Sequence, residues 1–142
     1  MYSNPEETYQ TSQGETYLTL EKDAERNLFY LKWAWKYEYG FEVAQAGCLA
    51  AVEFVKKHEL IGGISDVTGV QGTWDPINEW LATEWVPQVL KAGVKFWVHI
   101  LPKEFFAQLS AELMENDMNL NGLMAPNVDN LEKAYHWIEM HR

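Results

Sequence analysis

The sequence predicts an α/β fold with a mixed sheet, mostly parallel, opening on an antiparallel hairpin. Three observations carry this. Residues 60–101 read as strand, loop, helix and strand with short connections. Only a crossover returns the chain to the same end of a sheet, so these two strands are parallel. Residues 28–39 alternate apolar and polar with period two, and residues 15–22 alternate more weakly just before them. Two such runs with a short turn make a hairpin. Finally, the chain has 142 residues and no linker that would separate two domains. One core is therefore expected over residues 15–142, with residues 1–14, which carry Pro5 and Gly14, as a flexible arm.

The elements follow in order. In the first strand Leu18 and Leu20 share a side. In the second, Phe29, Leu31, Trp33, Trp35 and Tyr37 point one way, and Tyr30, Lys32, Ala34 and Lys36 the other. The charged side is the solvent side, so the odd-numbered side is expected inside. Gly40 breaks the strand, and residues 41–58 form a helix with Phe41, Ala44, Cys48, Ala51 and Val55 at spacings of three and four. Lys56, Lys57 and His58 close it, where positive charge suits the helix dipole. Residues 60–67 form a short buried strand. Asp75 fits an N-cap and Pro76 a first helical position for a helix to Ala92, stopped by Gly93. Ile77, Leu81, Trp85 and Val89 form its stripe, and Pro87 predicts a kink near Thr83–Trp85. Residues 94–101 form the next strand. Pro102 and Lys103 open a third helix with Phe105, Phe106, Leu109 and Leu113 inward. Residues 120–125 are a diluted strand, and Asp129 caps a last helix over residues 130–141. The order is β-β-α-β-α-β-α-β-α.

Composition narrows the function. A formal charge of −10 disfavours nucleic acid and anionic membranes, each of which needs a basic surface. No segment approaches ~18 uninterrupted apolar residues, so no membrane span is expected. The first residues lack the basic and apolar runs of a secretory signal. Cys48 is the only cysteine, which excludes an internal disulfide and fits a reducing cytoplasm. His58, His99, His136 and His141 are scattered, with no pair at i,i+4, so no metal site is expected. Phosphate-cradling glycine loops are also missing, so no cofactor is expected. Ser65-Asp66 with a distant histidine makes a partial triad at most, because Ser65 lies in a strand and not on a nucleophile elbow. Cys48 reads as packing.

Several local patterns together resemble the STAS family, the sulfate-transporter and anti-sigma-factor-antagonist domains. They are residues 39–44 opening the first helix, Ile64–Thr68 ending the third strand, Trp80 through Pro87, residues 93–96, and residues 131–138. More narrowly, they look like small bacterial STAS-like proteins grouped with lipid-binding Sec14-type domains. The resemblance spans about residues 15–140 and implies a SpoIIAA-like mixed sheet. It implies a non-enzymatic interaction or regulatory module in a bacterial cytoplasm. The Sec14 side implies, as an alternative, a small carrier for an apolar or lipid-like ligand, with Trp33, Trp35, Trp85 and Phe105 as cavity lining. A hydrolase with an unrecognised site is a second alternative.

In signalling STAS proteins a serine or threonine at the start of the second helix is phosphorylated, where a helix N-terminus favours negative charge. Asp66 and Thr68 fit the family's strand-end pattern, and the phosphoacceptor position falls at residues 73–75. The family's Asp-Ser-Ser-Gly-like sequence is missing there; Thr73 is the only hydroxyl, and a turn or capping role is the favoured reading of it. Asp75 either imitates a phosphorylated state or simply caps the helix. Trp80 lies roughly 150° from the centre of its helix's apolar stripe, and Trp74 sits in the adjacent loop. The candidate interaction surface is therefore Asp66, Thr68, Thr73, Trp74, Asp75 and Trp80. Trp74, Trp80 and Trp137 all fall off the expected core stripes, a pattern compatible with a homodimer or another protein partner.

Overall fold

The computed structural model describes residues 2–142. Six strands form one sheet in the order β1-β2-β3-β4-β5-β6. They are β1 (Glu7–Gln10), β2 (Thr16–Asp23), β3 (Leu28–Trp33), β4 (Gly62–Asp66), β5 (Phe96–Ile100) and β6 (Asn127–Val128). The pairs β1–β2 and β2–β3 are antiparallel, and the three pairs from β3 to β6 are parallel. The expected mixed sheet is present. The arm carries an unforeseen strand: β1 pairs with β2, and Tyr2 stacks flat on Tyr30 at 4.3 Å. The Tyr2 hydroxyl also donates to Asp23 at 2.8 Å, so the segment is pinned and not loose.

Chain neighbours are sheet neighbours, and right-handed crossovers then place every connecting helix on one face. That face carries α1 (Phe41–His58), the rod of α2 (Asp75–Trp80) and α3 (Val86–Lys91), and α4 (Phe105–Leu120). The final helix, α5 (Leu131–His141), covers the opposite face, with Ala134 and Ile138 over Leu28, Ile64, Phe96 and Val98. No helix among the described residues is long and apolar enough to cross a membrane.

Strand β3 buries its odd side as expected: Phe29, Leu31, Trp33 and Trp35 are buried while Lys32 is exposed. Tyr37 is a correction. The chain leaves the sheet after Trp33, bridges to Gln71, and turns through a 3-10 segment at Tyr37–Tyr39, leaving Tyr37 exposed. Gly40, at φ 92°, then lets the backbone swing into α1.

Pro87 shapes the rod between α2 and α3. It has no N–H for the carbonyl of Thr83, and its ring would crowd that carbonyl. A π-helical turn at Leu81–Trp85 widens the helix there, and Val86 N–H bonds to Leu81. The expected irregularity is thus an opened turn.

Four further boundaries differ from expectation. Trp74, not Asp75, is the N-cap of α2 and makes no side-chain cap bond, while the Asp75 carboxylate accepts from Ser110 on α4. Helix α4 begins at Phe105, with the Glu104 carboxylate accepting from Ala107 N–H at 3.0 Å. Asn130, not Asp129, caps α5, accepting from Lys133 N–H at 2.9 Å. The last strand lies at Asn127–Val128, beyond the diluted run at 120–125.

The largest correction is the orientation of α4. Phe105, Phe106, Leu109 and Leu113, expected inward, all face solvent, with exposures of 64%, 60%, 42% and 49%. Ala107, Ser110, Ala111, Met114 and Met118 face the sheet instead.

Candidate functional site

The loop between β4 and α2 lies at the carboxyl end of a parallel strand, where open α/β sheets usually place their sites. Its polar groups are tied to the fold. The Asp66 carboxylate accepts from Thr68 N–H at 3.0 Å, from the Thr68 hydroxyl at 2.7 Å, and from the Tyr30 hydroxyl. Burial and this bond to Asp66 push the Tyr30 phenol upward. Gly72 N–H donates to Glu104 at 2.9 Å. Bonds from Ala107 and Gly72 hold the Glu104 carboxyl below the usual range. Gln71 N–H donates to the Trp35 carbonyl at 3.1 Å, and Tyr37 N–H to the Gln71 carbonyl at 3.0 Å.

Thr73 is half-buried, and its hydroxyl lies 2.9 Å from the Ser110 hydroxyl. Ser110 is fully buried and also accepts from Trp74 N–H at 3.0 Å. The Asn78 amide donates to the Ser110 carbonyl at 3.2 Å. The structure therefore brings Thr73, Trp74 and Asp75 together around one α4 serine that the sequence did not single out. Trp74 is buried in the main core, Asp75 is exposed, and Trp80 is half-buried against that core. Asp66 and Thr68 form a separate, half-buried turn.

Directly beside this loop lies the outer face of α4. Phe105 and Phe106 meet edge to face at 5.4 Å, and Leu109 and Leu113 continue the ridge at helical spacing. Glu112 and Asp117 border it, and α4 carries no basic residue.

Beneath the loop lies a cavity of about 70 Å³ between β3–β5 and the inner faces of α1, α2 and α4. Five of the seven tryptophans line it: Trp33, Trp35, Trp74, Trp85 and Trp97. Phe105, the fourth expected lining residue, lies outside it. The cause is the small inward set on β4. At Gly63 a Cβ would meet Trp97 at 2.6 Å and Phe29 at 2.9 Å, so rings from both neighbouring strands occupy that space. At Ser65, two residues on, the space stays open. Ser65 and His99 are register partners on adjacent strands and both line the cavity. His99 Nδ1 lies 3.3 Å from the Ala125 carbonyl, which can only accept, so Nδ1 carries the proton. Burial lowers the His99 pKa to about 4 and keeps the ring neutral. Cys48 also lines the cavity, and burial pushes its thiol up to about 12. The signal for the Ser65–His99 pair was a small polar residue inside an apolar, buried strand.

No cluster of three or more metal-binding side chains exists among the described residues. Comparison with known proteins found no matching family model, no similar curated protein and no matching solved structure.

Proposed function

We propose that this protein is a non-enzymatic interaction module of STAS type, docking a protein partner on the outer face of α4 and the adjoining loop. The supporting observation is the ridge Phe105-Phe106-Leu109-Leu113, four large apolar side chains left in solvent on one helix face. Contiguous exposed apolar surface of that kind marks contact sites. The candidate loop residues Asp66, Thr68, Thr73, Trp74, Asp75 and Trp80 then act mainly as the frame. The bonds of Gly72 to Glu104 and of Thr73, Trp74 and Asp75 to Ser110 hold the loop against α4, so ridge and loop adjoin. Thr73 serves as a turn residue: its hydroxyl is engaged by Ser110, and a phosphate there would sit against the Asp75 carboxylate.

The interior favours this reading over the alternatives. A lipid-sized ligand needs a cavity of several hundred Å³, well above the volume found. Ser65 and His99 share no hydrogen bond, and a backbone carbonyl occupies the position where a hydrolase would orient its base with a carboxylate.

The test is a photo-crosslinking amino acid at position 109, compared with one at exposed position 88 on α3, in native cells. A discrete product from position 109 alone supports the docking face. Its mass separates a second copy of this chain from a different partner. Identical smears from both positions, or none, would refute the proposal.

A further inference from the structure

The cavity beneath the loop holds an unmatched pair of polar groups. Ser65 is 4% exposed and His99 2%, and both line the cavity from neighbouring positions on β4 and β5. The Ser65 hydroxyl makes no side-chain hydrogen bond among the described residues. With Nδ1 committed to Ala125, the other His99 nitrogen is an acceptor without a partner there. The indoles around them bring apolar surface. Trp35 and Trp85 have already spent their N–H groups on the carbonyls of Gly40 and Cys48. Neither atom is among the sealed, unpaired ones of the described residues, so both open on accessible space, and an occupant that donates and accepts would satisfy them.

We propose that this cavity is a binding site for a short-chain alcohol. The donor–acceptor pattern, which water also meets, and the apolar lining, which favours an alkyl group over water, together select the class. A hydroxyl donates to the free His99 nitrogen and accepts from the Ser65 hydroxyl, satisfying both at once. A ketone or ether cannot donate, and a hydrocarbon leaves both groups unmatched. A carboxylate or amine would carry its charge into an apolar interior. Size sets the limit. An apolar cavity of roughly 150 Å³ accommodates benzene, so about 70 Å³ suits three or four heavy atoms. The alkyl end then lies against the indole rings.

The probe is 1-propanol, titrated into the intact protein. Indole fluorescence and the ring signals of His99 in isotope-edited spectra are the readouts. Saturable changes with a dissociation constant on the order of 1 mM are expected, the range open to so small a ligand. Ser65→Ala removes one partner without filling the space and should weaken binding about tenfold. Ala44→Val narrows the cavity wall and should weaken it further. Xenon serves as the apolar comparison and should bind wild type and Ser65→Ala alike. Absence of any change up to about 100 mM, a hundredfold above the expected constant, would show that water alone occupies the space and overturn the proposal. Equal 1-propanol affinity in wild type and Ser65→Ala would do the same, by showing that no polar recognition exists.

Discussion

Helices α1 and α4 lie on the same face of the sheet, yet they meet it in opposite ways. Helix α1 turns its larger residues inward: Phe54 packs on Phe29 at 5.2 Å, and Val52 and Val55 are buried. Gly47 lets it approach, since a Cβ there would meet the Trp33 ring at 2.7 Å. Helix α4 turns its small and flexible residues inward and leaves its phenylalanines and leucines in water. Both choices satisfy helical periodicity. The difference lies in the ground each must cover. Over α1 the strands supply aromatic rings and the helix fills between them. Near α4 the space is already occupied by Trp74 and the α2–α3 rod, and the serine network at Ser110 requires close approach. Only alanine, serine and slender methionine fit. The teaching is that burial goes to the face that fits, while surplus apolar surface becomes available for other contacts.

The sharpest way to break this comparison is Trp33→Ala. If Trp33 is the ring on which α1 seats, the loss should be about 3–5 kcal/mol, as for other large core truncations. Chemical denaturation reads it, and a loss under about 1 kcal/mol would mean that α1 is held elsewhere.

The shared ground between the two helices is probed by acid. His99 sits in the cavity that the inner faces of α1 and α4 both line. Its folded pKa, about 4, lies below its ordinary 6.5. The unfolded chain therefore binds the extra proton first, between these values. Stability is full above pH 6.5 and declines as pH falls towards 4, by on the order of 3 kcal/mol. Denaturation midpoints across that window should show the slope, and His99→Leu should flatten it.

Ser110→Ala tests the tight seat of α4. It strips the Trp74 N–H of its acceptor and frees Thr73 and Asp75, at a cost of about 1–3 kcal/mol. Amide exchange confined to residues 72–78 would sharpen the account, whereas unchanged stability would show that the network is dispensable.

The outer ridge should be the least sensitive. The double variant Leu109→Ser, Leu113→Ser is expected to shift stability by less than about 0.5 kcal/mol per site. A cooperative loss of several kcal/mol would mean that these side chains belong to the core after all.

Much of the architecture was legible in the sequence because strands and crossovers leave strong local signals. The alternation Phe29-Leu31-Trp33-Trp35 marks the buried side, and Gly40 and Gly93 mark element ends. Helix α4 was legible as a helix but not in orientation. It carries two apolar stripes, and periodicity cannot choose between them when the decisive term is interhelical space. The site was less legible still. Residues 66–75 stand out by strand-end position and by the STAS resemblance, but Ser110, which organises Thr73, Trp74 and Asp75, is 35 to 37 residues away in sequence from them. Pairing of Ser65 with His99 needed the parallel register of β4 and β5, a long-range fact.

The sequential strand order also bears on how the chain is made. Each strand pairs with the one synthesised just before it, so the sheet can grow in the direction of translation, through short turns for the two antiparallel pairs and helical crossovers for the parallel ones. One set of contacts breaks this pattern. Arg26 lies 3.9 Å over the Tyr135 ring, Tyr2 bonds the Tyr135 hydroxyl, and Arg142 donates to the Arg26 carbonyl at 3.0 Å. These join the first strands to the last helix across more than a hundred residues. Until α5 leaves the ribosome, the apolar face of β3, β4 and β5 that it covers stays bare. A nascent chain halted before α5 is therefore the species that a chaperone would meet, and arrival of the final eleven-residue helix is the event that ends that exposure.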